Sequence, residues 1–108
     1  MAESVEVDVF DLEGAALDWA VAKAFGASLE NPAPHSTEWG HGGPLLEREG
    51  VKLERDLEGY SEPNRRWCAE HRVFWANGAT MLVAGCRVLV MSKLNCRSLV
   101  IPTGLMGS

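Results

Sequence analysis

Cysteine is scarce in this 108-residue chain, and long apolar runs are missing. Cys68, Cys86 and Cys96 are odd in number and form no Cys-x-x-Cys pair, which argues against a secreted disulfide framework. The longest strongly apolar stretch, Met81 to Leu94, is broken by Arg87, Ser92 and Lys93. It falls short of the roughly 20 residues that a membrane span needs. The opening Met1-Ala2-Glu3-Ser4 puts no positive leader ahead of an apolar run, so the expectation is a cytosolic protein with no membrane association. Internal repeats and low-complexity tracts are also lacking.

What is present suits one small globular domain. Charged residues make up 23% and hydrophobic ones 46%, ordinary proportions for a chain that closes a single core. The formal charge of −5 hides a division. Residues 1–62 hold fourteen acids against four bases, a net of −10, and residues 63–108 hold six bases against one acid, a net of +5. Three readings are open: the halves interleave and their fields cancel, the basic half offers a patch to nucleic acid, or the acidic front half meets a basic partner surface.

Val5, Val7 and Val9 alternate with acids, the period of a strand with one face buried. Asp11 stands where a helix N-cap belongs, and Leu17, Val21, Ala24 and Phe25 fall on one helical arc that Gly26 ends. Trp19 lies opposite that arc, to pack under a loop or meet a partner. Residues 27–43 read as a loop, with Pro44 opening a helical turn over Leu45–Glu49 that Gly50 closes. Val51, Leu53, Arg55 and Leu57 alternate as a second strand, followed by a turn over residues 58–64. Trp67, Ala69, His71, Val73 and Trp75 share one side of a third strand, closed by Asn77-Gly78. Residues 79–94 fit either a buried helix or a hairpin, and Ser98–Ile101 is a strand stopped by Pro102.

Three segments, taken together, resemble the phage P22 NinX-like family of small phage and prophage proteins. They are Leu12-Glu13-Gly14-Ala15-Ala16-Leu17-Asp18-Trp19-Ala20-Val21-Ala22-Lys23, then Ser36-Thr37-Glu38-Trp39 running into Gly42-Gly43-Pro44-Leu45-Leu46-Glu47-Arg48-Glu49, then Ala84 with Arg87, Val90 and Ser92-Lys93-Leu94. The resemblance implies a helix over residues 80–94 and brings no catalytic residues, because the family's function is uncharacterised. The resulting expectation is an α+β fold, a two-layer sandwich with two main helices on one face of a small, mainly antiparallel sheet. Residues 1–102 form the single domain and residues 103–108 a loose tail.

No motif signals catalysis. Gly-x-Ser-x-Gly is lacking, and the carboxylates of Glu47 and Glu49, two apart on a helix, do not face each other. His35 and His41 lie six apart, and Cys68 and His71 would point to opposite sides of a strand, so no metal site is expected. No cofactor motif occurs: Trp39-Gly40-His41-Gly42-Gly43-Pro44 could offer backbone amides to a phosphate but lacks Gly-Lys-Ser/Thr. Loops with unusual backbone and a large aromatic concentrate function, so Trp39, His41, Gly42, Gly43, Glu47 and Arg48 are the candidate binding residues. The expected function is a non-enzymatic phage accessory protein that binds a host or phage protein, or a second copy of itself, in the bacterial cytoplasm. The alternative is a nucleic-acid or nucleotide binder using the glycine loop or an edge of Arg65, Arg66 and Arg72, with Arg97 nearby. Against it stand the negative charge and the placing of Trp67 and Trp75 on a face expected to be buried. A small hydrolase or transferase is a third class.

Overall fold

The computed structural model describes residues 3–56, 62 and 65–105. Among them are five strands and three helices: β1 (Ser4–Asp8), α1 (Gly14–Ala24), α2 (Trp39–Glu49), β2 (Lys52–Arg55), β3 (Trp67–His71), β4 (Phe74–Gly78), α3 (Met81–Leu94) and β5 (Ser98–Pro102). The fold is α+β, and every strand pair is antiparallel. The expected single sheet is two: a ribbon of β1 and β5, and a separate three-stranded sheet in the order β2-β3-β4.

The core is organised around α3. It packs against β3 and β4 and more lightly against β2, while α1 and α2 both pack on it. Residues 84–92 of α3 are all buried, which explains why its apolar side chains run right round the helix. Its ends are capped. Thr80 Oγ1 accepts the Val83 amide at 3.1 Å, and Asn95 takes the left-handed conformation at φ 52°. These caps favour the helix over the hairpin. Leu12, Leu17, Val88, Leu89 and Ile101 are fully buried, and each contributes roughly 1.5–3 kcal/mol of burial.

Four local expectations change. Val9 leaves β1 for a 3-10 turn over Val9–Asp11, capped by Asp8, whose Oδ1 accepts the Phe10 amide at 2.8 Å. Asp11 therefore does not cap α1, whose N-cap position is Glu13. The helix containing Pro44 begins five residues before it, at Trp39, and ends at Gly50 with φ 71°. Residues 67–78 form a hairpin rather than one strand. The register pairs His71 with Phe74, so Arg72 and Val73 alone make the turn, with Arg72 at φ 57°. That reversal puts Trp67 and Trp75 on opposite faces, correcting the shared buried face expected for them. Of the strand expected over 51–57 and the turn over 58–64, residues 57–61, 63 and 64 lie outside the described residues, as do 106–108 of the tail. Thr103–Leu105 makes a 3-10 turn, with Leu105 against the core.

Candidate functional site

The glycine segment is the first turn of α2, not a loop. The amides of His41 and Gly42 donate to the Glu38 carbonyl at 3.0 and 2.9 Å, so they already have partners. Poor local propensity, with three glycines and a proline, is overcome by packing. A Cβ on Gly42 would run into the His35 carbonyl and come within 2.7 Å of Leu82 Cδ2, so only glycine lets the helix approach that closely.

At 100° per residue, α2 divides the candidates. Trp39, Gly43 and Glu47 line one flank, and the Trp39 ring, 52% exposed, lies along Gly43. His41 and Arg48 sit about 140–160° round the helix from Gly43. His41 meets His35 edge-on at 6.2 Å between rings, and Arg48 bonds Glu49 at 3.4 Å and reaches over Phe25. Beside them a cavity of about 190 Å³ is lined by Val21, Phe25, His35, Leu45 and Arg48, among others. His35 Nδ1 is buried with no hydrogen-bond partner. Burial holds the His35 imidazole below its ordinary value, against the raising influence of Asp18.

The arginines sit at the two ends of β3: Arg65 and Arg66 precede it and Arg72 follows it, about 20 Å away at the rise of an extended strand. Arg65 pairs with Asp56 at 3.4 Å and Glu62 at 3.9 Å. Arg97 lies over the Phe10 ring at 4.9 Å.

Cys68 and His71 do face opposite sides of the sheet. His71 is buried toward α3, where Nε2–H donates to the Glu49 carbonyl at 3.0 Å. With a proton on Nε2, the neutral form of the ring leaves Nδ1 to accept the Ser92 hydroxyl at 2.7 Å. Lys93 Nζ bonds Glu49 Oε1 at 2.8 Å and holds the Glu49 carboxyl below its usual range. No three His, Cys, Asp or Glu side chains converge as a metal site among the described residues.

A concavity larger than the one beside His35 was not anticipated from the sequence. It lies on the sheet's outer face, holds about 590 Å³, and is lined by Phe10, Asp56, Arg65, Cys68, Glu70, Trp75 and Asn77. Register explains it. Cys68 pairs with Asn77 and Glu70 with Trp75, so all four project from the face turned away from α3. Trp75 is 55% exposed and meets Phe10 at 5.8 Å between ring centroids. Asp56 Oδ2 accepts from Arg65 at 3.4 Å and from Asn77 Nδ2 at 3.1 Å. Burial, then Glu70, Asp56 and Glu54, push the Cys68 thiol up, which keeps it protonated and a poor nucleophile. The Cys86 thiol, deep in α3, is pushed up to about 12. The groove's sequence signal was length, since residues 67–78 exceed the usual span of one strand.

A family described as bacteriophage P22, NinX, matches residues 28–93, taking in α2, the three-stranded sheet and almost all of α3. The run from Leu12 to Lys23, which leads into α1 and makes up most of it, precedes the match. No curated protein matches the chain. With more than half of its length matched, the chain belongs to the bacteriophage P22 NinX family.

Proposed function

We propose that this phage accessory protein is a non-enzymatic binding module for a protein partner in the host cytoplasm, and that it uses the outer face of the three-stranded sheet. The observation that carries this reading is the 590 Å³ groove walled by the exposed Trp75 and by Phe10. Exposed aromatics at the centre of a concave surface are typical anchors of protein interfaces. The groove's cysteine is pushed toward the thiol form, which does not favour covalent catalysis. No helix among the described residues is long and apolar enough to cross a membrane.

Nucleic-acid binding is the second reading, favoured by the exposure of Trp75, whose open ring could stack a base. The experiment is capture of partners from infected host lysate on the immobilised protein, alongside polarisation titrations with single- and double-stranded oligonucleotides at low salt. Trp75→Ala should lose the specific partner while Trp39→Ala, on α2, retains it. Loss with Trp39→Ala alone would transfer the surface to α2. Saturable oligonucleotide binding that Trp75→Ala abolishes would favour the second reading.

A further inference from the structure

Four of the seven phenylalanine and tryptophan rings, all among the described residues, lie under the chain's own cations. Lys23 lies over Trp19 at 5.2 Å, Arg97 over Phe10 at 4.9 Å, Arg55 over Trp67 at 5.8 Å, and both Lys93 and Arg48 over Phe25 at 5.2 and 6.0 Å. Trp75 has no such cover among the described residues. Its one ring neighbour is Phe10, tilted at 47°, which leaves the indole open to the groove.

A carboxylate stands next to that open ring. Glu70 is directly opposite Trp75 across the β3–β4 ladder, on the same face, and is exposed. Its other cross-strand neighbour, Lys52, bonds Glu54 at 3.2 Å. Arg65, the cation lining the groove, is engaged by Asp56 and Glu62. Glu70 makes no ion pair among the described residues. Glu70, Asp56 and Glu54 all act on the Cys68 thiol in the direction of a negative field, which marks the groove floor as acidic.

We propose that the groove receives an arginine side chain of the partner protein, its guanidinium lying over the Trp75 indole and its N–H groups donating to the Glu70 carboxylate. This rests on the reading above that the partner is a protein. Arginine fits better than lysine because a planar fork can stack on an indole and grip a carboxylate with two parallel bonds. A phosphate would meet the carboxylates of Asp56 and Glu70 here, with the groove's Arg65 already engaged by Asp56 and Glu62. The volume exceeds one side chain, so the residues flanking the arginine enter too.

The test is an NMR titration of the whole ¹⁵N-labelled protein with acetyl-Gly-Arg-Gly-amide, repeated with the citrulline and lysine peptides, adenosine monophosphate and oligo-dT. The arginine peptide should shift the Trp75 indole N–H and the amides of Cys68, Glu70 and Asn77 saturably. Its apparent Kd should be about fivefold or more tighter than that of citrulline. Glu70→Gln should erase that preference without altering the citrulline peptide, and Trp75→Leu should weaken both peptides. Both substituted side chains are exposed, and the dispersion of the remaining amides reports that the fold is intact. Equal affinity for citrulline overturns the arginine proposal but leaves a protein-binding groove standing. Preference for the nucleotide or oligo-dT at Trp75 overturns both. No peptide shift at Trp75, or Trp75 shifts that follow protein concentration without peptide, also overturns the proposal, the latter naming a second copy as the occupant.

Discussion

Asp18 Oδ1 on α1 accepts the backbone N–H of Ser36 at 2.8 Å, in a buried setting, across eighteen residues of chain. The Ser36 hydroxyl in turn donates to the Gly14 carbonyl at 3.3 Å, so the segment entering α2 is tied twice to α1. Asp18→Ala strands the buried Ser36 amide and should cost about 1–3 kcal/mol in urea unfolding. Asp18→Asn keeps the acceptor oxygen and should recover most of that loss. A full loss with asparagine would mean that the charge, rather than the bond, carries the effect.

Gly42 and Gly40 share the first turn of α2 and differ in their surroundings. A Cβ at Gly40 meets nothing within 4 Å, whereas at Gly42 it strikes the His35 carbonyl and Leu82. Gly40→Ala should therefore stabilise by roughly 0.5–1 kcal/mol, the usual helical advantage of alanine. Gly42→Ala gains the same propensity but forces α2 away from residue 35, and should destabilise by about 1–3 kcal/mol. Thermal unfolding of the two variants should move in opposite directions. If both behave alike, the helix does not start at Trp39.

That pair also shows where sequence and structure part company. Gly-x-Gly-Gly-Pro is local evidence for a loop, and it is overruled by the close approach of Gly42 to Leu82, forty residues further along the chain, a contact that no local pattern carries. Arg72-Val73 contains none of the usual turn residues, so the alternation from Trp67 to Trp75 ran straight through a reversal, and the groove around Trp75 disappeared with it. The helix over 81–94 was better marked. Thr80 and Asn95 are ordinary capping residues, and they could have decided between helix and hairpin without any resemblance. The strand at Ser98–Ile101 and the opposed faces of Cys68 and His71 depend on local period alone, which is why they were legible, whereas the α+β class also drew on the family resemblance for its last helix.

Acid should weaken the protein in two stages. Burial holds the folded His35 below its ordinary value of 6.5, so the stability tied to its neutral form is fully present above 6.5 and is lost as pH falls through the folded value. Lys93, chiefly, holds folded Glu49 below its ordinary 4.5, so that contribution is present above 4.5 and lost at lower pH as the carboxylate protonates. Urea midpoints measured from pH 7.5 to pH 3 should fall in both windows. His35→Phe, which also removes the partnerless Nδ1, should flatten the upper window. Lys93→Met should shrink the lower one, leaving what Arg48 supplies. An unchanged upper window in His35→Phe would assign that loss to another group.

Arg87 is 1% exposed, yet it is a cation in the middle of α3. Its Nε–H donates to the Leu12 carbonyl and an Nη1–H to the Asn77 carbonyl, both at 2.8 Å, joining α3 to the segment before α1 and to the end of β4. Burial lowers its pKa, with Glu13 and then Asp11 opposing, and the guanidinium stays charged. Arg87→Met fills the volume but leaves the buried Leu12 carbonyl and the part-buried Asn77 carbonyl without these donors, and should cost about 2–5 kcal/mol. Arg87→Lys keeps the charge without the rigid fork and should recover only part of that. Leu12 lies two residues beyond Phe10, so loosening it should also free Phe10 from Trp75 and change the tryptophan emission before unfolding begins. If Arg87→Met unfolds at the wild-type midpoint with unchanged emission, neither carbonyl depends on the arginine and the groove wall is held by packing alone.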